Sequence, residues 1–99
     1  MNVADVTREA FEPYLEAAFQ VSADAETSFE ARLIEVSPMG ETVGPEGRRA
    51  FSLVLRGPEN DSPEQGIYLV EHEELGSIEL FLVPIGPDDE GMRYEAVFT

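Results

Sequence analysis

Arg48-Arg49-Ala50-Phe51-Ser52-Leu53-Val54-Leu55-Arg56, followed by Gly57-Pro58, is the stretch whose reading decides the fold. Phe51, Leu53 and Leu55 share one phase of a period-two alternation; Ser52, Val54 and Arg56 share the other. Alternation in a run of β-formers marks a strand with one face on a core, and Gly57-Pro58 stops it. Two further runs repeat the pattern downstream, Gly66-Ile-Tyr-Leu-Val-Glu-His72 and Ser77-Ile-Glu-Leu-Phe-Leu-Val-Pro84. Together they predict a sheet that the rest of the chain must cover.

Upstream, Phe19, Val21 and Ala23 alternate with polar residues and predict a first strand, with a turn at Asp24–Thr27. Phe29, Ala31 and Leu33 continue one face, but Ile34 and Val36 then take the other. A phase change at Leu33-Ile34 reads either as a β-bulge, the device by which a sheet bends toward closure, or as a strand end covered on both faces. Before the first strand, Asp5 or Thr7 caps a short helix running from Thr7 toward Leu15, with Glu9 in its first turn. Phe11, Tyr14, Leu15 and Ala18 follow helical spacing, and Pro13 limits the length. Their apolar side is expected to be a lid on one end or face of the sheet rather than a partner groove.

Downstream, Ser37–Gly47 is rich in turn residues and reads as a long connection or contact loop. Gly57–Gln65 reads as a second turn region around Asn60-Asp61. Leu75-Gly76 turns the chain, with Gly76 at positive φ. Ser77–Pro84 carries Ile78, Leu80 and Leu82 on one face and Phe81 and Val83 on the other. It should be buried on both sides, inside a capped barrel or at an oligomer interface. Gly86–Gly91 reads as a hairpin loop, and Met92, Tyr94, Ala96 and Phe98 alternate along a last strand.

Ninety-nine residues with 42% apolar content make one domain, 1–99, with one core and no room for a large polar-lined cavity. No apolar run is long enough to span a membrane and no signal peptide is evident, so the expected compartment is the cytoplasm. The chain has no cysteine, which removes disulfides, thiol catalysis and cysteine-ligated metals. Twenty-one acids face six bases, a net charge of −15. All six bases are arginine. This field repels nucleic acid and anionic lipid, and the absence of lysine removes Schiff-base chemistry and a phosphate-loop lysine. The acid excess fits solubility, a halophilic host or a basic partner surface, of which solubility is the simplest account.

No residue is assigned a catalytic, cofactor-binding or metal-binding role. There is no nucleophile elbow, glycine-rich phosphate loop or zinc-protease motif. Ser52 and Ser77 have only the single His72 to pair with. Glu71-His72-Glu73-Glu74 is the one place where a metal is conceivable, but neighbouring strand residues point opposite ways, so a solvated strand end is expected. The doublet Arg48-Arg49 is the only basic pair; it reads as a partner for nearby acids rather than as an anion clamp.

The segments Phe51-Ser-Leu-Val-Leu-Arg-Gly-Pro58, Gln65-Gly-Ile-Tyr68, Leu75-Gly76, Phe81-Leu-Val-Pro84 and Tyr94-Glu-Ala-Val-Phe98, in this order and spacing, resemble a small bacterial domain-of-unknown-function family. The likeness covers nearly the whole chain. Leu55 stands where the resemblance leads to an aromatic residue, and Glu16 where it leads to a glycine before the first strand. The resemblance brings no catalytic or binding residue. Members of the resembled family are often encoded near phage-tail-collar-like proteins, and the resemblance therefore implies a small accessory or structural module.

The expected protein is therefore all-β with one short N-terminal helix, about six antiparallel strands in a small meander-like barrel or sandwich. Its expected function is a non-enzymatic protein-interaction or structural accessory module of a phage-tail-like assembly, with a protein partner or self-association, no cofactor, no nucleic acid and no membrane. A small-ligand-binding barrel using Tyr14, Tyr68, Phe81 and Tyr94 is the alternative, and a metal-dependent enzyme using His72 with Glu73 or Glu74 stands third. One outcome follows from charge alone. Screening shortens the reach of the like charges to about 10 Å at 0.1 M salt, so adding salt should raise the melting temperature. A flat or falling melting temperature across a salt series would mean that the acids are individually paired.

Overall fold

The computed structural model describes residues 7–43 and 49–98. Its six strands are β1 (Ala18–Ser22), β2 (Ser28–Val43), β3 (Arg49–Gly57), β4 (Gly66–His72), β5 (Gly76–Asp88) and β6 (Gly91–Phe98). They form a closed, fully antiparallel barrel in the order β1-β2-β3-β6-β5-β4, with β4 paired back to β1. Within each half, β1–β3 and β4–β6, successive strands are neighbours in the sheet. The step from β3 to β4 leaves that path, because β3 pairs with β6 and lies across the barrel from β4. The connection through residues 58–65 therefore spans one mouth. Under it, the Tyr68 hydroxyl donates to the Glu64 carbonyl at 2.6 Å.

The expected bulge is present. Leu33 pairs with Leu55 and Glu35 with Val54, leaving Ile34 as the extra residue. A second shift leaves Ile85 unpaired between Pro84 and Gly86, where Gly86 has φ 105°. Bulges increase local twist and bend a strand, and two of them on opposite halves help a sheet of only six strands close. Closure also brings backbones close together. A Cβ on Gly91 would lie 2.0 Å from the Gly57 carbonyl oxygen, so β6 can start beside the end of β3 only with glycine there.

The inward phase fills the barrel. Phe19, Val21, Ala31, Leu33, Phe51, Leu53, Leu55, Val70, Ile78, Leu80, Leu82, Tyr94, Ala96 and Phe98 are all buried in one cluster. At one mouth Phe51 and Phe98 stack at 4.5 Å, and Phe11 packs on Phe98 at 6.2 Å. At the other, Phe29 lies 5.6 Å from Tyr94 and 6.3 Å from Tyr68. The lid is thus real but short: α1 (Arg8–Phe11) runs into a 3₁₀ turn, Glu12–Tyr14, that contains Pro13. Phe11 is its buried anchor. Leu15 and Ala18, expected on the same apolar side, are exposed because the helix ends before them. Thr7 holds the N-cap position without a side-chain cap bond, and Asp5 lies outside the described residues.

Four expectations need correction. Residues 37–43 are not loop: β2 continues to Val43, where it pairs again with Arg49 after a break beyond Pro38. Proline has no N–H for the ladder, which makes the segment look like a turn in sequence while its backbone stays extended. Residues 44–47 of that expected loop lie outside the described residues. Likewise β5 runs to Asp88, and only Asp89-Glu90 turn. β3 and β5 also exchange their expected environments. Ala50, Ser52 and Val54, on the outer phase of β3, are buried; Ser52 and Val54 are short and sit between Ser37 or Glu35 on β2 and Val97 or Glu95 on β6. Phe81, on the outer phase of β5, is half exposed. A closed barrel has one inside, and α1 covers a mouth instead of the outside of β5.

Glu16 has φ 73°, the one positive φ at a non-glycine among the described residues. It sits where the chain turns from the lid into β1. Its N–H donates to the Leu33 carbonyl at 2.7 Å, and its carbonyl accepts from Arg32 Nη1 at 2.8 Å. Those bonds hold a side-chain-bearing residue in a conformation that costs it about 1 kcal/mol. Glu16→Gly should therefore keep or raise stability by up to about 1 kcal/mol, whereas Glu30→Gly inside β2 should lower it by about the same amount. Thermal melts of the two variants decide this; equal losses would mean that Glu16 is not strained.

Candidate functional site

His72 ends β4 at the lid side of the barrel. Its Nδ1 accepts from the Glu74 N–H at 3.0 Å and the Leu75 N–H at 3.4 Å, which ties the β4–β5 turn. Its ring packs against Tyr14 at 4.9 Å and Phe19 at 5.0 Å. One nitrogen is thus committed to backbone, and the ring is held between the lid and β1. Glu74 accepts from the Tyr14 hydroxyl at 3.1 Å, and this carboxylate raises the Tyr14 pKa. Glu71, Glu73 and His72 line a shallow open depression with Gln20, Gly76 and Ser77. Among the described residues no group of acids, histidine or cysteine has metal-holding geometry. The arrangement is that of a turn pinned to a lid.

The four aromatic residues considered for ligand binding do not converge. Tyr68 and Tyr94 are buried in the core with rings 6.2 Å apart, Tyr14 is on the lid, and Phe81 is outside the barrel. Desolvation raises the Tyr68 pKa, as expected for a phenol in a packed interior. Arg48 lies outside the described residues, and Arg49 is described by its backbone position opposite Val43. Ser52 is buried on β3, on the opposite side of the barrel wall from the core, and Ser77 is exposed beside the depression near His72.

The second mouth has a charged pin that sequence reasoning missed. Arg56, at the end of β3, donates through Nε and Nη2 to Asp88 at 2.8 and 2.6 Å, and its Nη1 lies 3.0 Å from Glu90. Asp88 Oδ1 also accepts from the N–H groups of Glu90 and Gly91, closing the β5–β6 turn. Asp24 closes the β1–β2 turn in the same way, through the N–H groups of Glu26 and Thr27. The turn aspartates were legible in sequence as turn formers. That Arg56 would reach Asp88, thirty-two positions away, was not.

The remaining feature is on the outside of β4, β5 and β6. Ile67 pairs directly with Phe81, and Val83 with Glu95, which puts Val97 level with Phe81 on the same face. Ile67 is 57% exposed, Phe81 50% and Val97 50%, and Leu69 is exposed beside them. Glu71, Glu79 and Glu95 share this outer phase, with Arg93 the base among them. The signal was present in the sequence. Gly66-Ile-Tyr-Leu-Val is apolar in both phases, as is Ile78–Val83 apart from Glu79, so each strand carries more apolar side chains than one core face uses.

The chain matches the family model described as a domain of unknown function (DUF6916) over residues 6–98, and it belongs to that family. No curated protein and no solved structure matches it. No helix among the described residues is long and apolar enough to cross a membrane.

The charged pin sets a pH dependence. The Arg56 hydrogen bonds, then the Glu90 N–H, hold Asp88 below the usual carboxylate range. A carboxyl whose pKa is lower folded than unfolded stabilises the fold above the unfolded value, about 3.9, and loses that contribution as pH falls through the folded value. Asp88→Asn should melt below the parent chain at neutral pH, and the gap should narrow as pH drops below about 4. A gap that stays constant down to pH ~2 would show that the Asp88 charge contributes nothing to stability.

Proposed function

We propose that the domain is a non-enzymatic protein-interaction module, an accessory component of a larger particle such as a phage-tail-like assembly, that works through the outside of its barrel. The observation that carries this is the row Ile67, Phe81 and Val97 across three adjacent strands, each at least half exposed. Scattered exposed apolar residues are ordinary, whereas a contiguous row on one sheet face supports a docking reading. The interior supports the same reading: it is filled by its own side chains, and His72, the one histidine considered for chemistry, is tied into the β4–β5 turn. The particle context rests on the family resemblance alone.

A photo-crosslinking residue placed at position 81, with position 26 in the exposed β1–β2 turn as control, tests this in the native cell. The expected result is one discrete adduct, a second copy or another protein, from position 81 and none from position 26. No adduct at 81, or equal labelling from both positions, would overturn the proposal.

A further inference from the structure

Resting on that reading, we infer that the occupant of this face is a basic amphipathic helix of another protein. Three properties of the surface point to it. The first is area. Half-exposed side chains at Ile67, Phe81 and Val97, with Leu69 beside them, offer on the order of 400 Å² of apolar surface. A stable dimer needs about 800 Å² from each copy. A second copy would therefore have to bury the surrounding glutamates as well.

The second property is charge. Glu71, Glu79 and Glu95 lie on the same outer phase as the apolar row, against Arg93, on a chain of net charge −15. Arg93 itself leans on the Gly86 carbonyl at 3.3 Å. In a twofold dimer through this patch each copy presents the same acids to the other, and like charges brought together oppose docking. Lysine or arginine flanking an apolar ridge meets those acids instead, which speeds encounter and sets orientation.

The third property is geometry. β4, β5 and β6 each pair on both sides, so this face has no open strand edge for a peptide to extend. Recognition must go through side chains. Neighbouring strands lie about 4.8 Å apart, so the row from Ile67 to Val97 spans about 10 Å. An α-helix rises about 4.5–6 Å between anchors three or four residues apart and about 10.5 Å over seven. A helix laid across the strands thus meets Ile67, Phe81 and Val97 with apolar residues at i, i+3 or i+4, and i+7, and places basic residues on both flanks.

The test uses a synthetic peptide of about 18 residues, long enough to form helix, with leucine at those spacings and arginine on the flanks. A scrambled peptide of identical composition and a leucine–glutamate peptide are the controls. Binding is read by fluorescence anisotropy, and its location by amide chemical shifts. The expected result is saturable binding that moves the amides around Ile67, Phe81 and Val97 and weakens as salt rises. Phe81→Ser should reduce affinity at least tenfold, as should Ile67→Ser; both sites are exposed, so the fold should persist and a thermal melt verifies it. Equal binding of the scrambled peptide, shifts elsewhere, or unchanged affinity of both folded variants would overturn the inference. So would a concentration-dependent dimer in light scattering that Phe81→Ser dissolves. That last outcome would leave the interaction reading standing with a second copy as occupant, whereas a monomer that binds no peptide and gives no adduct at position 81 would remove both.

Discussion

Closure of the barrel is the constraint on which the rest depends. The sheet has six strands, and it joins its ends through β4 on β1 while β6 joins the two halves through β3. A sheet this narrow closes only where strands bend sharply and where backbones meet without side chains between them. Ile34 and Ile85 supply the bends, and Gly91 beside Gly57 supplies the close approach. Arg56 and Asp88 then lock the seam from outside, at the same mouth where Phe29, Tyr68 and Tyr94 lock it from inside. These features lie far apart in the chain and meet only because the barrel closes.

Closure also decides where function can reside. A small barrel packed with Phe, Leu, Tyr and Val has its interior taken by its own side chains. The lid takes one mouth through Phe11, and the connection through residues 58–65 takes the other. The proposed docking therefore uses the outer wall. That wall carries Glu30, Glu35, Glu71, Glu79 and Glu95 on a chain of net charge −15, a field that repels other acidic surfaces. The part over β4, β5 and β6 carries an apolar row inside the acidic field, and that contrast is the basis of the proposed docking.

The elements differ in how legible they were. Phe51, Leu53 and Leu55, and Met92 to Phe98, declared their faces by alternation, and the strands formed as their pattern predicted. The phase break at Leu33-Ile34 named its bulge because one inserted residue flips every later side chain. Glu16 carried a signal of a different kind. The family resemblance pointed to glycine there, and the backbone has the positive φ that glycine adopts freely. Residues 37–43 misled because proline and glycine speak for turns whether or not the backbone stays extended. The pin between Arg56 and Asp88 was invisible, since no local pattern marks which of twenty-one acids an arginine will meet.

The sequence by itself determined which side chains share a face along each strand, where the chain turns, and that the molecule carries a strong negative field. Those are local or additive properties: side-chain alternation has period two, turn residues act within a few positions, and charges simply sum. Only the tertiary structure decided which face is inside where both phases of a strand are apolar. Phe81 and Leu82 are adjacent and equally apolar, yet one is half exposed and the other buried. Their difference comes from the curvature of a closed sheet, which assigns one phase of every strand to the core and leaves the other to whatever lies outside. Pairing of β3 with β6 rather than β4 is equally non-local, because strand neighbours are chosen by the packing of all six strands together.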